Sequence, residues 1–188
     1  MPYLKVHQKP RVYLDVETTG LDPHLHEIIE FAALKDDGSI HETKIKPEHI
    51  ERAHPKALEA NGYTAEEWAD APTLEEVAPA FYEFIKDCIV VGHNVRFDAS
   101  FIEASLRKAQ IQERIDFHVV DTVTLAYEHL APLGLKSLSL WKVCVFLGIP
   151  PEPDVHRAMN GAIRARQVYH ALARAGWWRR LIWRMKRK

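Results

Sequence analysis

The chain has 188 residues and a mass of 21.6 kDa, with 47% hydrophobic and 27% charged residues and a formal net charge of −1. That length predicts one globular domain able to bury a real core, and the apolar fraction with so small a net charge excludes intrinsic disorder. No run of about 18 apolar residues is present to span a membrane, and the opening MPYLKVHQKP lacks the apolar stretch of a secretory signal, so a cytoplasmic protein is expected. Cys88 and Cys144, each in apolar surroundings (KDCIVVG, WKVCVFL), have no metal-ligand spacing and read as buried free thiols. The charge is unevenly spread. Residues 176–188, GWWRRLIWRMKRK, hold six basic residues and no acid, which leaves the rest of the chain at −7. A basic tail on an acidic body points to a polyanionic partner, nucleic acid or an anionic membrane surface.

In chain order, RVYLDV at 11–16 predicts a strand, followed by a turn at Gly20 and Pro23. Apolar runs at 27–35 and 39–46, separated by Asp37-Gly38, predict a hairpin. Residues 47–72 are polar and irregular, with short helical pieces expected near 55–60 and 64–69. Thr73-Leu-Glu-Glu76 is a capping-box start for a helix carrying Val77, Phe81, Phe84 and Ile85 on its apolar face. CIVVG at 88–92 reads as a buried strand. A helix at 98–109, a strand at 116–120, helices from Asp121 and Ser137, and a last helix over 157–175 complete the pattern. Strands first and alternating elements later predict an α/β fold, a mixed sheet flanked by helices.

Three stretches hold residues able to carry chemistry. In Asp15-Val-Glu17 the period of two along a strand puts both carboxylates on one face. Two such acids repel unless a cation lies between them, and hard oxygen ligands suit Mg²⁺ or Mn²⁺. Acids two apart also occur on ordinary exposed strands; the apolar residues before this pair and the Thr18-Thr19-Gly20 turn after it favour a site. In Gly92-His93-Asn94-Val-Arg-Phe97-Asp98, Asp98 is either a helix cap or a ligand. His93 and Asn94 there either satisfy buried backbone groups or line a pocket. In Val155-His156-Arg157-Ala-Met-Asn160-Gly161, His156 at a loop-to-helix junction is either structural or a general base suited to neutral pH.

Taken in order and spacing, YLDVETTGLDP, VGHNVRFDASFI and HRAMNGA resemble the three motifs of the DEDD-type (DnaQ-like) 3′–5′ exonucleases, in the histidine-bearing DEDDh branch of the DNA polymerase III epsilon subunit. The resemblance covers about residues 10–172. It implies an RNase H-like fold with a mixed five-stranded sheet flanked by helices, within an exonuclease domain at 8–175 and a separate basic, Trp-rich tail at 176–188. It implies hydrolysis at 3′ ends of single-stranded nucleic acid, DNA before RNA, by two divalent metals (Mg²⁺ or Mn²⁺) about 4 Å apart. In that reading Asp15 bridges both metals, Glu17 holds the nucleophile-side metal, Asp98 holds the other, and His156 deprotonates the attacking water. Thr18, Thr19, Gly20 and Leu21 receive the terminal nucleotide, with Leu21 against its base; His93, Asn94 and Phe97 line the same pocket. Asp121 matches a position usually acidic in the family and is read first as the N-cap of DTVTLA. A DNA polymerase or repair partner is implied as well.

The departure is at Gly161, where the family pattern HxAxxDA has its fourth carboxylate. Glycine inside a helix costs about 1 kcal/mol relative to alanine, so local stability does not ask for it. Without the acid, three carboxylates face two divalent cations, and metal affinity is expected to fall. Three explanations stand. The substitution is deliberate, made to trap substrate or suppress toxicity; or it is natural and tolerated, with water, Asn160 or Asp154 filling the gap; or it is natural and disabling, leaving a catalytically silent nucleic-acid-binding module of a replication or repair assembly. The tail has three readings too. Trp177, Trp178 and Trp183 interleaved with Arg179, Arg180 and Arg184 suit single-stranded nucleic acid, an interfacial amphipathic helix on a membrane surface, or continued packing of the last helix on the body.

Overall fold

The computed structural model describes residues 9–112 and 118–173. Five strands, β1 (Arg11–Thr18), β2 (Ile28–Lys35), β3 (Ile40–Lys44), β4 (Ile89–Gly92) and β5 (Val119–Asp121), form one sheet in the order β3-β2-β1-β4-β5. β1 pairs antiparallel with β2 and parallel with β4; β2–β3 is antiparallel and β4–β5 parallel. The helices are α1 (Pro55–Asn61), α2 (Leu74–Ile85), α3 (Val95–Lys108), α4 (Thr122–Leu130), α5 (Leu140–Leu147) and α6 (Ala158–Ala173). This is the mixed five-stranded α/β fold expected.

The central strand is covered on both faces, so its alternation sorts residues between two helical layers rather than between core and water. Val12, Leu14 and Val16 join the main core with Phe31, Phe81 and Ile85 and with Phe101, Ile102 and Leu106 of α3. Tyr13 turns the other way, into a cluster with Val91 and with Ala162, Met159 and Ile163 of α6. By the same period Asp15 and Glu17 project toward α6. A third cluster joins α4, α5 and α6 through Leu130, Val143, Cys144 and Val168. Cys88 and Cys144 are buried free thiols, as their surroundings suggest.

Four elements differ from the sequence reading. Residues 65–70 form turns rather than a helical piece, pinned by the indole of Trp68, which donates to the Ile29 carbonyl at 2.8 Å. α3 begins at Val95, not at 98, because Asn94 takes a left-handed backbone (φ 63°) that closes the turn just before it. α5 begins at Leu140 rather than at Ser137. The strand expected at 116–120 is seen at 119–121; residues 113–117, 174–175 and the 176–188 tail lie outside the described residues.

Candidate active site

β1 outruns its parallel neighbour. Its pairing with β4 ends at Tyr13↔Val91, while its pairing with β2 continues to Thr18, with a bulge between Glu17 and Thr18. The two parallel strands therefore part at their carboxyl ends, where crevices in α/β sheets take ligands. A cavity of about 310 Å³ lies there, lined by Asp15, Glu17, Thr18, Gly20, Leu21 and Asn61, by His93, Phe97 and Asp98, and by Leu140, Glu152, His156 and Gly161.

Each side chain is placed by a local cause. Asp98 lies in the first turn of α3, where a carboxylate meets the positive end of the helix, and its Oδ1 accepts from the Val16 amide at 3.1 Å, a donor left over where β1 and β4 separate. Asp98 is thus tied to β1 between the two other acids. Glu17 is over nine-tenths buried, and among the described residues no hydrogen bond reaches its carboxylate. His156 is exposed in the loop before α6, and its backbone N–H donates to the Ala60 carbonyl at 2.9 Å. Leu21, at the rim, is 82% exposed, an apolar side chain that no other described residue covers.

The electrostatics are those of uncompensated acids. Burial, then the charges of Asp98, Glu17, Glu152 and Glu30, hold the Asp15 carboxyl well above the usual carboxylate range. Burial followed by Glu30 and Glu152 pushes Glu17 up to about 8, and burial raises Asp98 as well. Carboxylates gathered in a poorly solvated cavity disfavour their own ionisation, and a divalent cation is the ligand that would reverse this. Among the described residues no three His, Cys, Asp or Glu side chains converge closely enough to enclose a metal as they stand. What fits Mg²⁺ or Mn²⁺ is the donor set itself, hard oxygens around one cavity with no lysine or arginine among its lining.

The other residues singled out from the sequence divide. Thr18 lines the cavity, its hydroxyl donating to the Gly20 carbonyl at 2.7 Å. Gly20 lies so close to His26 that a Cβ there would meet the ring at 2.2 Å. Thr19 is buried behind the cavity, its Oγ1 accepting from the Glu27 amide at 2.9 Å; it shapes the turn rather than lining the pocket. Phe97 and His93 line it. His93, whose pKa burial lowers, donates from Nε2 to the Leu138 carbonyl at 2.7 Å and meets the Thr122 hydroxyl through Nδ1 at 2.8 Å. Asn94 is exposed at the head of α3 and is not part of the lining; its contribution is the left-handed backbone and an amide donating to Asp121 Oδ1 at 3.0 Å. Asp121 also accepts from the Val123 amide at 2.8 Å, so it is the N-cap of α4.

Three residues that the sequence motifs do not mark brace this neighbourhood. Arg157 donates to the Asn61 carbonyl at 2.7 Å and to Glu67 Oε1 at 3.1 Å, stands 3.8 Å from Glu30 Oε2, and lies over the Trp68 ring. Asn61 in turn donates from Nδ2 to the Thr18 carbonyl at 2.9 Å. These bonds lace the end of β1, the end of α1 and the start of α6 together around His156. Glu30, opposite Glu17 in the β1–β2 register, is 3% exposed. A buried glutamate on a central strand was a signal available in EIIEFAAL; the lacing by Arg157 was not.

The fold and this acid-lined crevice define a nuclease-type domain, and comparison with known proteins agrees. The family described as Exonuclease matches residues 12–169. DNA polymerase III PolC-type of Thermotoga maritima is 38% identical over 165 residues, 84% of this chain but only 11% of that protein. DNA polymerase III subunit epsilon of Aquifex aeolicus is 30% identical over 172 residues, covering 89% of this chain and 82% of that one. The structure of E. coli exonuclease I in complex with a dT13 oligonucleotide superposes with a TM-score of 0.72 at 20% identity, over 93% of this chain and 43% of that one. The chain belongs to the exonuclease family of DnaQ-like domains.

Proposed function

We propose that residues 8–175 form a 3′–5′ exonuclease domain that removes nucleotides one at a time from single-stranded DNA, using two divalent cations, Mg²⁺ or Mn²⁺. The observation that carries this reading is the gathering of Asp15, Glu17, Asp98 and His156 around one cavity at the end of β1. Cations bound by Asp15, Glu17 and Asp98 would polarise the scissile phosphate and offset the charge that develops on it. His156, exposed at the rim and held through its backbone, takes a proton from the attacking water. The water oxygen bonds to phosphorus, the bond from phosphorus to the 3′ oxygen of the penultimate nucleotide breaks, and that oxygen takes up a proton as the new 3′ end. The terminal nucleotide leaves with its 5′ phosphate. Leu21 and Phe97 offer apolar surfaces to its base, and Thr18 and Gly20 shape the turn beside it.

The single-stranded substrate is supported by the oligonucleotide-bound exonuclease I of similar fold. A polymerase partner is supported by the DNA polymerase III proteins among its relatives. Among the described residues no helix is long and apolar enough to cross a membrane, and we place the protein beside that partner in the cytoplasm. The test is degradation of a 5′-labelled single strand in Mg²⁺ and in Mn²⁺, with Asp98→Asn as the blank. Stepwise shortening from the 3′ end by the parent chain alone is expected. Equal, background-level products from both would leave a module that binds 3′ ends without cutting them.

A further inference from the structure

The reading above leaves the position of Gly161 short of an acid, and in the structure a neighbouring side chain occupies the space beside it. α6 approaches β1 so closely that a Cβ on Gly161 would lie 2.3 Å from Asp15 Oδ2, 2.6 Å from Cγ and 3.2 Å from Cβ. The space a side chain would take at this turn of α6 is filled by the Asp15 carboxylate.

Another carboxylate faces the same cavity. Glu152 belongs to the stretch between α5 and α6 and lines the pocket with Asp15, Glu17, Asp98 and His156. It is partly buried, and among the described residues no hydrogen bond or ion pair engages its side chain. Asp15 and Glu17 feel its charge, and burial raises its own carboxyl while His156 and Arg164 act the other way. The stretch is anchored on both sides of it. Arg164 of α6 donates to the Pro150 carbonyl at 2.6 Å, and the His156 amide donates to Ala60 at 2.9 Å. The two alternatives suggested by sequence do not compete: Asp154 is exposed, and neither it nor Asn160 is part of the lining.

We propose that Glu152 supplies the fourth carboxylate of the metal site, its side chain entering from the loop before α6 in place of one at position 161. The inference rests on the exonuclease reading, and it makes this chain a complete four-acid site rather than a crippled one. Mg²⁺ and Mn²⁺ accept glutamate and aspartate oxygens alike, and they tolerate a ligand from a loop provided the geometry closes around the ion.

The test is calorimetric titration with Mn²⁺ of the full chain without substrate, alongside cleavage of a 5′-labelled single strand. Four proteins are compared: the parent, Glu152→Gln, Asp154→Asn and Asp98→Asn. The expected result is a loss of Mn²⁺ affinity of about tenfold or more in Glu152→Gln, with a matching fall in cleavage. Its melting temperature in EDTA should be no lower than the parent's, and Asp154→Asn should behave as the parent. Parent-like Mn²⁺ binding by Glu152→Gln, with binding lost in Asp98→Asn, would overturn the assignment while leaving the exonuclease site standing. No Mn²⁺ binding by the parent would bring down both readings together. Should Glu152→Gln melt below the parent in EDTA, Glu152→Asp provides the second measurement: a carboxylate ligand requires it to retain more Mn²⁺ affinity than Glu152→Gln, and equal loss in the two overturns the proposal.

Discussion

At Glu17 the cost of gathering acids can be measured without any metal. Its carboxyl sits at about 8 in the folded chain against the ordinary glutamate value of 4.5, because burial and the neighbouring acids disfavour the ion. A folded-state value raised above the unfolded one means that the native state binds the extra proton, so its contribution to stability is complete below about pH 4.5 and is lost as pH rises toward 8. In EDTA, the melting temperature should therefore fall between those limits, and Glu17→Gln should flatten the fall; a variant as steep as the parent would remove Glu17 as its source. Adding Mn²⁺ should reverse the trend, since the cation binds the deprotonated form. Gly161 permits a second test at this scale. Helix propensity alone predicts that Gly161→Ala gains about 1 kcal/mol. The contact with Asp15 at 2.3 Å predicts the opposite. We expect a loss of about 1–2 kcal/mol in urea unfolding, the usual range for an overfilled core, and any gain in stability would contradict the packing described.

Between elements, the decisive contact is Arg157. It stands where β2, α1 and α6 meet, and it is the cation nearest to a glutamate that is itself opposite another glutamate. Like charges directly across a strand pair destabilise it; a guanidinium tied to Asn61, Glu67 and Glu30 offsets that and orients the loop bearing His156. Arg157→Ala should cost about 2–3 kcal/mol, less than for a fully buried pair because the guanidinium is partly exposed. Glu30→Gln in the same chain should recover part of the loss, a coupling that a double-mutant cycle in urea reads directly; strictly additive effects would show that the two side chains do not act on each other. The same contacts explain what could be read from the sequence and what could not. Asp15 and Glu17 were legible as a pair because strand alternation is local, and Asp98 because a helix start beside a buried strand is local too. Capping at Thr73 and Asp121 was legible for the same reason. Glu152 and Arg157 act through a loop laid across the ends of α1 and β1, and no period in PPEPDVHR records where that loop will lie. The early start of α3 was hidden likewise, since Asn94 takes its left-handed turn with its amide on Asp121, twenty-seven residues away in the chain.

For the whole molecule, the question is how an acidic body holds a polyanion. The described body presents carboxylates at its cavity, and the chain outside 176–188 has a net charge of −7, so phosphate should be repelled at the crevice unless cations intervene. The tail supplies six positive charges with Trp177, Trp178 and Trp183 among them, and it lies outside the described residues. The nucleic-acid reading of this segment can be tested on binding alone. Binding of oligo-dT by the full chain, followed by fluorescence anisotropy in EDTA across a salt series, should show a steep fall of affinity with salt. For single strands the slope of log K against log salt is about −0.7 per neutralised phosphate. Removing residues 176–188 should therefore weaken binding and flatten the slope, by up to about 4 if all six charges contact phosphate. Cleavage of a short substrate at saturation should change little, because the acids and His156 remain. An unchanged slope would end the nucleic-acid assignment. Binding of the full chain, and not the truncated one, to anionic but not neutral vesicles would then move the tail to a membrane surface.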